Sequence, residues 1–114
     1  MRVFRLDRDG VLRRLQERAE ALVAADANVV EVRLFGSLAR GGAGPGSDAD
    51  VFNVVEQCSV PFLERVPGYA RWFEGVGVGC DRLVYTCAER ETLGVRRARF
   101  VRAVTVEGLT LAQR

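Results

Sequence analysis

Apolar residues recur at helical spacing near the start of the chain. Val11, Leu12, Leu15, Ala19, Leu22 and Val23 form one stripe among arginines and glutamates, which predicts a helix capped by Asp7 or Asp9 and running to about Ala25. Asp26 to Asn28 break the pattern, and Val29 to Phe35 then alternate around Glu31 and Arg33 as a strand with one covered face. The stretch from Leu34 to Val55, LFGSLARGGAGPGSDADVFNVV, reads as the end of that strand at Gly36-Ser37, a short turn of helix, a glycine-rich loop, and a second strand carrying Asp48 and Asp50. Ser59 before Pro61 signals a helix start, and Phe62, Leu63, Val66, Tyr69, Trp72 and Phe73 supply the apolar side of a helix over about 61–74, kinked or split by Pro67. Val76 to Tyr85 reads as a glycine-interrupted strand containing Asp81. Thr86 and Glu89 make a capping box for a short helix. A further helix over about 95–106 carries Phe100, Val101 and Val104, and Leu109 to Ala112 form an edge strand. Helices alternating with strands predict an α/β or α+β domain, a small mixed sheet covered by helices.

At 114 residues the chain has room for one core, so residues 1–114 are read as a single domain. No run of about 18 apolar residues is available to span a membrane. The N-terminus, MRVFRLDRDGVLRRL, has neither an apolar h-region nor a small-residue cleavage site, so the expected compartment is the cytoplasm. Cys58, Cys80 and Cys87 lack CxxC spacing and are expected to be free thiols.

All 17 basic residues are arginine, with no lysine and no histidine. That excludes Ser-His-Asp and Cys-His nucleophile pairs, imidazole zinc ligands, lysine Schiff bases and the Walker phosphate loop. Carboxylates, hydroxyls, arginines, backbone amides or a metal must therefore carry any chemistry. Net charge is only +2 and the arginines are scattered, so broad or sequence-specific nucleic-acid binding is not expected. Arg96, Arg97, Arg99 and Arg102 crowd one helix, where a solvated face is the default reading and an acidic partner or nucleic acid the alternative.

Asp48 and Asp50 change the picture. Two residues apart in a strand, they project to one side about 6.6 Å apart. Ionised carboxylates beside a core cost free energy unless they meet a cation or several donors, so the pair suggests a divalent metal site. Gly36 and Ser37 stand where a strand hands over to a helix, a place where free amides and close backbone approach favour phosphate. GGAGPG leads into a strand and not a helix, which rules out the dinucleotide fingerprint. Asp81, inside another predicted strand, is placed to complete the site. Three carboxylates beside a phosphate turn suit two magnesium ions about 3.5–4 Å apart around an in-line phosphoryl displacement.

These residues carry a resemblance. Leu34 to Val55 is similar to the nucleotidyltransferase signature of the DNA polymerase beta superfamily: Gly-Ser, a variable loop, Asp-x-Asp on the next strand, and a third aspartate on a later strand. The whole chain more closely resembles the minimal nucleotidyltransferases (MNT), small bacterial proteins often encoded beside a helical HEPN partner. GSLARGGAGPGSDAD matches the most specific motif, CDRLVYT the third-acid strand, and RFVRAVTVEGLTL the closing helix and strand.

The resemblance implies a polymerase beta-like nucleotidyltransferase fold and a metal-dependent enzyme moving a nucleoside monophosphate, AMP from ATP, to a hydroxyl. Gly36 and Ser37 then contact the triphosphate of ATP or another nucleotide. Asp48 and Asp50 hold Mg2+ (Mn2+ being an alternative), Asp81 is the third ligand or the base, and Arg40 helps neutralise phosphate. The implied partner is a HEPN-type protein in a toxin–antitoxin pair, and a homo-oligomer is compatible with the sequence. Two alternatives stand beside this reading: a binding module that neutralises its partner by masking, and an orphan small-molecule nucleotidyltransferase. Asn53 departs from the aliphatic residue usual at that point of the strand; by alternation it faces away from Asp48 and Asp50.

Overall fold

A computed structural model describes residues 7–42, 44 and 47–114. The residues before Asp7, and Ala43, Pro45 and Gly46 of the glycine-rich loop, lie outside the described residues. Helix α1 spans Arg8–Ala25, with the Asp7 side chain accepting from the Gly10 amide at 3.1 Å. Strand β1 is Val29–Phe35, the turn α2 is Ser37–Arg40, and β2 is Ala49–Val55. Strand β3 follows at Cys80–Thr86, then α3 at Cys87–Arg96, α4 at Ala98–Thr105, and β4 at Leu109–Gln113.

The sheet order is β3-β2-β1-β4. β1 is antiparallel to β2 and to β4, while β2 and β3 run parallel, so the sheet is mixed as the pattern predicts. Alternation along the strands divides the packing. The stripe of α1 covers one face, where Leu15, Leu22, Val32, Leu34, Val51 and Val55 are sealed from solvent. On the other face Val104 and Phe100 of α4 close over Phe52, Val54 and Phe35. Asp50 alternates with Phe52 and so belongs to this second face, at the end where β1 stops and β2 begins.

Two predicted elements are corrected. Residues 61–74 do not form a helix but three 3-10 turns, Phe62–Glu64, Val66–Gly68 and Ala70–Phe73. Pro67 removes an amide donor and Gly68 adds backbone freedom, so the i to i−4 ladder is not sustained. The strand predicted from Val76 begins only at Cys80, because Gly75 and Gly77 adopt positive φ (75° and 103°) and turn the chain first.

Asn53 is fully buried on the α1 face. Its Nδ2 makes one long hydrogen bond of 3.5 Å to the Leu83 carbonyl, and its Oδ1 has no partner. The departure noted in the sequence is thus a packing feature turned away from Asp50. The three cysteines are free. Among the described residues no helix is long and apolar enough to cross a membrane.

Candidate active site

The site lies across three neighbouring strands at one end of the sheet. β1 ends at Phe35, paired with Asp50 of β2, and Asp50 is in turn level with Asp81 of β3. Residues level in a parallel pair share a face, so Asp81 joins Asp50 on the side away from α1. Asp48 stands one residue ahead of β2, not within it as the sequence suggests, where Ala49 donates to the Gly79 carbonyl at 2.8 Å. Asp48 and Asp81 are exposed and Asp50 is half-buried.

Two glycines make room for these carboxylates. Gly36 has φ 79° and ψ −161°, and a Cβ there would collide with Asp50 Oδ2. A Cβ on Gly79 would stand 2.6 Å from Asp48 Oδ1. The turn after Gly36 has no side-chain cap among the described residues, and Ser37 beside it is half-buried. At the other end Gly41, with φ 84°, closes the turn.

The electrostatics tie the residues together. The Asp50 carboxyl is held above its ordinary range by burial first, then by the charges of Asp81 and Asp48, while Arg40 pulls it down. Three carboxylates and one arginine therefore share a field. Among the described residues no three His, Cys, Asp or Glu side chains stand together as a ready metal-binding group. Magnesium keeps several waters and is commonly held by one or two carboxylates plus substrate phosphates, so it needs no closed protein cage. An all-oxygen donor set with unrelieved like charge fits such a cation.

The site is braced by residues that the sequence pattern alone does not single out. Arg8 of α1 donates to the carbonyls of Leu38 and Ala39 at 3.0 and 3.1 Å, fixing α2 from below. Arg33 of β1 donates to the carbonyls of Val104 and Thr105 and to Thr110 Oγ1, tying α4 and β4 to the central strand. Arg65, 8% exposed, pairs with Glu89 at 2.5 Å. No local signal distinguishes these arginines, since each is defined by a carbonyl or carboxylate far along the chain. Gly79 had a faint signal, a glycine two residues before an acid at a strand start.

Residues 12–100 match the family model of the nucleotidyltransferase domain. Two solved structures are similar. One is a Sulfolobus solfataricus protein described as a nucleotidyltransferase, 23% identical, covering 94% of this chain and 84% of its own, with a TM-score of 0.67. The other is a toxin–antitoxin solved with AMP-PNP, 15% identical, covering 96% of this chain and 75% of its own, with a TM-score of 0.56. At these identities the structural likeness speaks for the fold. No curated protein matches the chain.

Proposed function

The chain belongs to the nucleotidyltransferase domain family, and from that premise we propose that it transfers AMP from ATP to a hydroxyl of a partner protein of the HEPN type, as the antitoxin of a two-protein pair. The observation that carries this reading is that Asp50 and Asp81 lie level on one face of the sheet, with Gly36, just past the end of β1, against the Asp50 carboxylate. The triphosphate lies at the Gly36-Ser37 turn, where a missing Cβ lets phosphate approach the backbone. Asp48 and Asp50 are the residues that would hold Mg2+, with Asp81 as a third ligand or as the base. When bound, the metal supplies Lewis-acid stabilisation of the charge that develops on phosphate.

The reaction is a displacement at the α-phosphorus. The acceptor oxygen forms a bond to that phosphorus as the bond to the bridging oxygen of pyrophosphate breaks, and the hydroxyl proton passes to Asp81 and then to water. Arg40, whose charge already acts on Asp50, helps balance the leaving phosphates. Masking without chemistry is the second reading: it needs no metal and draws only on the surface that meets the partner.

Labelled ATP, Mg2+ and the cognate partner separate the two. Transfer predicts label on a hydroxyl side chain of the partner with release of pyrophosphate. Asp48→Ala and Asp50→Ala should each lower the rate by about a hundredfold or more, the scale of losing one element of transition-state charge stabilisation. Arg40→Ala should cost about 1.5–3 kcal/mol, that of a charge-assisted hydrogen bond. Unlabelled partner with every nucleotide, neutralised equally well by the aspartate variants, leaves masking as the function.

A further inference from the structure

An apolar groove runs along β3 away from Asp81 on the face that carries the acids. Leu83 and Tyr85 are the next residues on that face, at about 6.6 Å per pair. Together with Leu93 of α3, Phe100 of α4 and Phe62 of the first 3-10 turn they line two adjoining cavities of about 470 and 370 Å³ that share Tyr85, Leu93 and Arg97. Leu63 and Val95, each 86% exposed, project from the two elements that wall it.

The groove is net positive. Its carboxylate, Glu89, is engaged by Arg65, whereas Arg96 and Arg97 are exposed and enter none of the ion pairs among the described residues. The rings are poor platforms for nucleobases, because Tyr85 already carries Phe52 stacked at 5.1 Å and Phe62 tilted against it at 4.8 Å. What the groove offers is a mixed aliphatic and aromatic floor with guanidinium groups at its rim.

The strand order supplies the direction. In an in-line displacement the leaving and attacking oxygens lie on opposite sides of the phosphorus. On the transfer reading, with the triphosphate at the Gly36-Ser37 turn beyond β1, the side opposite the leaving pyrophosphate is that of β3, which carries Asp81.

We infer that this groove is the acceptor channel and that it takes an extended polypeptide segment of the partner: a hydroxyl side chain at Asp81, an apolar side chain against Leu83 and Leu93, and acidic side chains at Arg97 and Arg96. The inference rests on the transfer reading for its chemistry and on the groove's own shape and charge for its occupant. It gives the arginines at the junction of α3 and α4 a recognition role.

Short synthetic peptides test it. One carries a tyrosine, a leucine about two residues further on, the spacing of one strand face, and glutamates beyond. A second has lysines for the glutamates, and a third probe is a single-stranded oligoribonucleotide. Binding is read by fluorescence anisotropy on Asp48→Asn protein, which separates recognition from transfer, and labelling from ATP is read on the parent. The acidic peptide should bind about tenfold tighter than the basic one, as charge complementarity at a rim allows. Arg97→Glu, at an exposed position, should reverse that order, and Leu93→Asp should weaken both peptides. Exposed Arg13→Glu on α1 serves as the charge control and should change neither. Reversed binding without label retains the groove and refutes the transfer reading. Label without peptide preference, unaffected by Arg97→Glu, refutes the groove and retains transfer. Tighter binding of the oligoribonucleotide than of the acidic peptide also overturns the inference.

Discussion

One missing methyl group decides the geometry at Gly36. Its φ of 79° lies where L side chains are strained, and the space a Cβ would take belongs to the Asp50 carboxylate. Gly36→Ala therefore faces two penalties, a backbone that must shift and an acid that must turn away. We expect a stability loss of about 1–3 kcal/mol, the range for a strained backbone position. If Asp50 acts in transfer, activity should fall further than the remaining folded fraction explains. Thermal unfolding and transfer rates measured on the same preparation check this, and a variant as active as the parent would mean that the Asp50 position is uncritical. The sequence shows a glycine before a serine at a strand end, which is enough to suspect a phosphate turn. It does not show that the same glycine abuts Asp50, because that contact is created by the pairing of Phe35 with Asp50 across β1 and β2.

Elements whose signals are local were legible from the chain. The α1 stripe, the alternation of β1 and the Thr86–Glu89 capping box stand where the pattern puts them, since each depends on residues within a turn or a strand of one another. The 62–73 segment was not, because its aromatic spacing fits a helix while Pro67 and Gly68 prevent one, and its residues settle against β3 instead. Phe62 packs on Tyr85, and Arg65 reaches the Val84 carbonyl at 3.1 Å and Glu89. The Glu89 carboxyl is held below its ordinary value of 4.5, first by the hydrogen bond from Arg65, with further help from Thr86 and against the effect of burial. A carboxyl depressed in the folded state contributes stability above its unfolded pKa and loses that contribution as pH falls through the lower folded value. Glu89→Gln should thus cost about 1 kcal/mol at neutral pH, a modest figure because the Glu89 side chain is 40% exposed and solvent screens it. The difference between variant and parent should shrink on acidification below pH ~4.5. Denaturant melts across that range test the pair, and parallel pH profiles would show that it contributes nothing.

For the molecule as a whole, the site is a product of topology. Asp48 and Asp50 are legible as neighbours, but Asp81 joins them only because β3 pairs parallel to β2 with Asp81 level with Asp50, a register set by the loop and turns between them. The fold thereby concentrates negative charge at one end of the sheet, beside Arg40, and the rise in the Asp50 pKa from burial, Asp81 and Asp48 is one sign of that strain. A cation that binds the folded chain and not the unfolded one should relieve it. At about tenfold over its dissociation constant such a ligand adds about 1.4 kcal/mol, worth several degrees in the melting temperature of a domain this size. Mg2+ or Mn2+ should therefore raise the melting temperature of the parent, without any nucleotide or partner present. The double variant Asp48→Asn with Asp50→Asn should melt higher than the metal-free parent, since the repulsion is gone, and should no longer respond to the ion. Calcium-free buffer with chelator sets the baseline, and an equal concentration of monovalent salt controls for screening, which acts on exposed charge without specific binding. A double variant that still gains the full shift from Mg2+ would place the ion away from these acids, while a parent that gains no more from Mg2+ than from the salt control would leave the carboxylates without a metal role.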